Sequence, residues 1–177
     1  MSLGGGGYSE LEDFVYDYLY DEGFLVVAAA GNDGNSDKSY PASYKSVISV
    51  SAVCSNKKRA SFFQYNSQVE LSAPGVNLLS TYTSNTYKKL SGTSMACPHV
   101  AGVTAEVWSH FPKCTNNQLR NVLIRTAKDL GNTGFDTSYG HGLVQTKAAY
   151  DLLKSEGCKA GGPVQDPLID GAIDGCE

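Results

Sequence analysis

No run of apolar residues approaches the ~20 needed to cross a bilayer as a helix; the longest, Phe24–Ala30, has seven. Charge is scarce too. Asp, Glu, Lys and Arg make up 18% of the 177 residues, short of the usual quarter. The balance is mildly acidic, 14 basic against 18 acidic side chains, a formal net charge of −4. Nucleic-acid binders are basic along one face, so nucleic acid is not an expected partner, and Lys57-Lys58-Arg59 reads as a solvated turn. With 41% apolar residues, the chain is nonetheless too apolar for a disordered segment. Met1-Ser-Leu and Gly4–Gly7 offer neither a basic nor an apolar lead, so no secretion signal is read within these residues. The five cysteines (Cys54, Cys97, Cys114, Cys158, Cys176) contain no C-x-x-C pair, so no metal site or cofactor is assigned. Cys114 precedes one predicted helix and Cys158 follows another, at element ends where chain segments meet. A Cys114–Cys158 bridge, implying an oxidising compartment, stands against the alternative of five reduced thiols.

Glycine, by contrast, is abundant: 19 residues, or about 11% against a usual ~7%, implies many tight turns. Ser9-Glu-Leu-Glu12 reads as a capping box. Behind it Leu11, Phe14, Val15, Tyr18 and Leu19 fall on one helical stripe, and Gly23 ends the helix. The apolar run Phe24–Ala30 suits a strand buried on both faces in a parallel sheet. With Met1–Leu3 as a preceding strand this makes a βαβ unit. Further strands are predicted at Val47–Val53, Val69–Ala73 and Leu78–Tyr82, with polar turn material over Thr83–Lys88. Helices are predicted from Met95 to about Phe111, with Pro98 in the first turn, behind the cap Thr115-Asn-Asn-Gln118, and over Thr146–Ser155. Residues 1–156 thus read as one folded unit, and 157–177, rich in Gly, Pro and Asp, as a tail or linker.

Two segments carry chemistry. In Ala28-Ala29-Ala30-Gly31-Asn32 a buried strand runs straight into an amide at the C-terminal edge of the sheet, where open α/β sheets bind ligands; a plain Asn-Gly turn reads the same. In Gly92-Thr-Ser94-Met-Ala-Cys-Pro-His-Val-Ala-Gly102 a serine sits between a glycine turn and the start of a buried helix. Unpaired N–H groups and the helix dipole there favour developing negative charge, the setting a serine nucleophile needs. A simple N-cap serine is the alternative.

Together these segments resemble the subtilisin-like serine peptidases. Gly92–Gly102 looks like that family's nucleophile signature over eleven consecutive positions, Ala29-Ala30-Gly31-Asn32 like its oxyanion-hole segment, and Met1-Ser-Leu-Gly-Gly5 like its substrate-binding strand. Tyr40-Pro41, Arg59-Ala-Ser-Phe62, Ala73-Pro-Gly75 and Gly140-His-Gly-Leu-Val144 follow in family order. The resemblance spans roughly residues 1–155. It implies an α/β fold, a three-layer arrangement with a mostly parallel sheet covered by helices, its N-terminal part missing. It also implies a polypeptide substrate, attack by Ser94, an oxyanion held by Asn32, and substrate contacts at Ser2, Leu3, Gly4, Ala29, Ala30 and Gly31. A cis bond at Tyr40-Pro41 and an extracytoplasmic location follow from the same resemblance.

The family runs its triad in the order Asp, His, Ser. Here His99, His110 and His141 all follow Ser94, and neither Asp-Ser/Thr-Gly nor His-Gly-Thr occurs. Five residues on from Ser94, His99 lies about 140° around the helix and reads as a helix-core residue. The chain is therefore expected to be the later part of a serine endopeptidase domain, inactive by itself, with the missing N-terminal half as a partner. The alternative is a non-catalytic remnant binding peptides or a partner along its sheet edge. Other classes fit poorly: Gly92-Thr-Ser94-Met-Ala96 lacks the second glycine of an α/β-hydrolase elbow, and no Gly-Lys-Ser/Thr follows Gly4–Gly7 to make a phosphate loop.

Overall fold

The computed structural model describes residues 1–163. Its centre is a parallel sheet of three strands, β1 (Val26–Ala29), β2 (Val47–Val53) and β3 (Val69–Pro74), in the order β1-β2-β3. β2 is buried along its whole length. Alternation divides the side chains between two faces. Val27, Ala29, Ile48, Val50, Ala52, Leu71 and Ala73 join the main core, whereas Ala28 and Val47 face a smaller cluster with Ala42 and Tyr44. The main core is closed by α2 (Thr93–His110), α3 (Asn116–Thr126) and α4 (Thr146–Glu156), which supply Ala96, Val100, Val107, Leu119, Leu123 and Leu153. Helix α1 (Glu10–Asp21) lies on the other face, where Tyr16 stacks on Tyr44. The result is helix, sheet, helix: the three-layer α/β arrangement read from the resemblance.

Several details depart from the sequence reading. Residues 1–3 form no regular strand; they run extended along β1, with the Met1 amine on the Val27 carbonyl and the Met1 carbonyl accepting from Ala29 N–H. The predicted turn over Thr83–Lys88 is half strand: β4 (Leu78–Tyr82) and β5 (Thr86–Leu90) make an antiparallel hairpin. Ser84 and Asn85 take left-handed backbone at its tip, the geometry of a tight hairpin loop, without the Asn-Gly pair that advertises one. The α1 stripe does not face the core. Leu11 is 73% and Phe14 68% exposed, and Val15 and Tyr18 are also exposed, because the face turned to the sheet carries Tyr16 and Tyr20 instead.

Residues 157–161, read as tail, coil into a 3₁₀ turn that seats Ala160 and Gly161 against α3. Asn121 donates to the carbonyls of Gly161 and Gly162, and Cys158 is joined to Cys114 by the expected disulfide. Residues 164–177 lie outside the described residues. The β3 carboxylate Glu70 and the α3 guanidinium of Arg120 form a fully buried, bidentate pair at 2.6–2.7 Å. Burial works against the Arg120 charge, but Glu70 more than offsets it and holds the guanidinium above its ordinary range.

Candidate active site

The β1 strand ends at Ala29, and the chain turns at Gly31 with φ +118°, a conformation that favours glycine. A Cβ there would stand 1.8 Å from Gln64 Oε1, so no side chain fits. Gln64 is buried at 2% exposure and ties the turn three ways. Its backbone N–H donates to Gly31 O, its Oε1 accepts from Asp33 N–H, and its Nε2 donates to Asp37 O. Asn32 is thereby carried to the start of α2.

There Asn32 Oδ1 accepts from Thr93 N–H at 2.8 Å and from Thr93 Oγ1 at 3.2 Å. Gly92, the N-cap of α2, has no side chain to cap the helix, so an amide from another segment satisfies its first N–H. That assignment leaves Asn32 Nδ2 as the remaining donor of the amide. Gly92 itself is held by its N–H on Gly75 O at 2.8 Å. A Cβ on Gly75 would press to 2.4 Å from Ala52 Cβ and 2.8 Å from Gly92 O.

Ser94 is the second residue of α2, half-buried, with its N–H among the orphans of the helix start. Helix α2 begins two residues earlier than its periodicity predicts, which places Pro98 in the second turn. Proline has no N–H, so the Ser94 carbonyl loses its i+4 donor; Ser2 Oγ takes that place at 2.8 Å. Ser94 Oγ in turn donates to Ser2 O at 3.4 Å. A cleft of about 340 Å³ opens beside them, lined by Ser2, Leu3, Gly4, Ala29, Gly31 and Asn32 among others. Of the predicted site residues, these six and Ser94 border that one cleft. Ala30 does not: it is 1% exposed, and its N–H bonds Val50 O inside the sheet.

None of the histidines meets Ser94, since Ser94 Oγ bonds only Ser2 among the described residues. His99 is exposed rather than in the helix core, with a ring nitrogen 2.8 Å from Met95 O. His110 sits edge-on to Tyr150, and His141 against Phe135. No cluster of His, Cys, Asp or Glu able to hold a metal occurs among the described residues. The Tyr40-Pro41 bond is cis. Sequence reasoning missed Thr93 and Gln64, which hold Asn32 and its turn, and Asp33 and Ser39, which also line the cleft. Thr93 was visible as the middle of Gly-Thr-Ser; Gln64 has no local signal, because its partners are 27 to 33 residues away in the chain.

Comparison with known proteins gives the same likeness. The chain is 49% identical over 153 residues to subtilisin DY of Bacillus licheniformis and covers 55% of that protein with 84% of its own length. It is 48% identical over 149 residues to a thermostable alkaline protease of Halalkalibacterium halodurans, covering 40% of it. It thus spans about half the length of the curated relatives it matches. The crystal structure of the psychrophilic subtilisin-like protease Apa1 from an Antarctic Pseudoalteromonas superposes on 93% of this chain and 71% of its own, with a TM-score of 0.86 at 26% identity. The profile of the Subtilase family matches residues 1–142, and the chain belongs to that family.

Proposed function

We propose that the chain supplies the acyl-transfer half of a serine endopeptidase site, and that the base and its orienting carboxylate come from a part of the domain outside these 177 residues. Ser94 Oγ attacks the scissile carbonyl of an extended polypeptide lying along residues 2–4. The carbonyl oxygen, as it gains charge, accepts from Asn32 Nδ2 and from Ser94 N–H. The single observation that carries this reading is the fixed amide: Thr93 occupies Asn32 Oδ1, so Nδ2 is left as the donor of a side chain that lines the same cleft as Ser94. Donors set in place before the reaction need no reorganisation as charge develops.

Uncovered apolar surface supports the rest. The face of α1 that carries Leu11, Phe14, Val15 and Tyr18 is exposed. On the α2 side of the sheet Leu25, Val27, Ala101, Ala105 and Trp108 line a shallow groove. An N-terminal half-domain docking on this chain would cover both. The disulfide supports an extracytoplasmic location, and no described helix is long and apolar enough to cross a membrane. Without its base the site loses most of the ~10⁶ that a triad contributes, so the isolated chain leaves an unfolded protein substrate intact. Hydrolysis by the purified chain that disappears in Ser94→Ala would overturn this.

A further inference from the structure

We propose that the Cys114–Cys158 disulfide is an exchange site for an external dithiol, attacked at Cys158 and released at Cys114, whose opening unclasps residues 157–163 from α3. The two cysteines are unequally placed. Cys114 is buried at 3% exposure, whereas Cys158, in the 3₁₀ turn, is only half-buried and is the more accessible of the two. Cys114 directly precedes Thr115, the N-cap of α3, so the helix dipole favours negative charge on the departing sulfur. Exposed Lys113 and Lys159 flank the bridge in sequence and favour it further. A better-stabilised leaving thiolate makes exchange faster.

One thiolate of the dithiol attacks Cys158 Sγ, the disulfide breaks, and Cys114 leaves as a thiolate that takes up a proton. The second thiol of the reagent then attacks the mixed disulfide and frees Cys158. The protein gains two thiols, and the dithiol is oxidised to its cyclic disulfide. What still holds the segment is a handful of hydrogen bonds: Asn121 to the Gly161 and Gly162 carbonyls, and exposed Arg125 to those of Gly162 and Pro163. Asn121 is itself half served, since its buried Oδ1 has no partner among the described residues. Gly161 lies so close to α3 that a Cβ would stand 2.1 Å from Gln118 O, a seat that tolerates little displacement. The main core does not lean on the bridge, because α4 seats Ala149 and Leu153 in it directly. Opening is therefore local.

The test treats the native chain with millimolar dithiothreitol and follows limited tryptic cleavage after Lys159 together with hydrogen exchange. Reduction should raise that cleavage roughly tenfold or more, while amides of β1, β2 and β3 keep their protection. Emission of Trp108, the single tryptophan, times the opening, because its indole N–H donates to Cys114 O at 3.0 Å. Glutathione in place of the dithiol should leave its adduct on Cys158. The double variant Cys114→Ser with Cys158→Ser should be cut at the reduced chain's rate, with or without dithiol. A bridge that yields only after urea unfolds the chain, an adduct on Cys114, cleavage unchanged by reduction, or protection lost throughout the sheet would each overturn the proposal.

Discussion

At Ser94 each polar group has its own assignment. The carbonyl, orphaned by Pro98, accepts from Ser2; among the described residues the N–H has no partner and the hydroxyl makes only a long contact. These roles follow from where single atoms are missing or fixed, and so do the first consequences. Gly31→Ala forces a Cβ onto Gln64 and a side chain into left-handed backbone, and should lower stability by about 1–3 kcal/mol, read as a shift of the urea midpoint. Gly7→Ala, with nothing within 4 Å, should stay within about 0.5 kcal/mol. That Ser94 and Asn32 border one cleft was legible because their neighbours in sequence form an unbroken motif. Thr93's bond to Asn32, Gln64's grip on the turn and Asp33's place beside the cleft were not. Each depends on a partner that only the tertiary fold brings near.

At the scale of elements, helices and parallel strands were legible because burial leaves a period. The hairpin β4–β5 was half hidden: its strands are largely exposed and carry no clean alternation. The stripe on α1 misled for a different reason, since periodicity reports that a face is apolar and not what covers it. Leu11→Glu and Phe14→Ser should therefore change stability by no more than about 0.5 kcal/mol while reducing self-association in sedimentation; a cooperative loss of folding would mean the face is packed after all. The Arg120–Glu70 pair behaves oppositely. Arg120→Ala strands a buried carboxylate and should cost about 3–5 kcal/mol, whereas Arg120→Met with Glu70→Leu recovers most of the loss, both measured by denaturant unfolding. The turn at Gly157–Gly161 was invisible to composition because a disulfide and Asn121, not periodicity, hold it in place.

For the whole molecule, the fold class was legible from motif order, and so was the absence of a histidine ahead of Ser94. Residues 1–3 bond along the β1 edge, and the apolar residues of α1 stay exposed. The most direct measurement refolds this chain with a separate polypeptide comprising the part of a subtilisin that precedes the matched region, and follows hydrolysis of a denatured protein. The account predicts a one-to-one complex that cleaves, no cleavage by either piece alone, none with Ser94→Ala, and a rate lowered by about 10²–10³ with Asn32→Ala, a figure drawn from a subtilisin itself. A complex that forms and cleaves nothing, or one that still cleaves with Ser94→Ala, would contradict it.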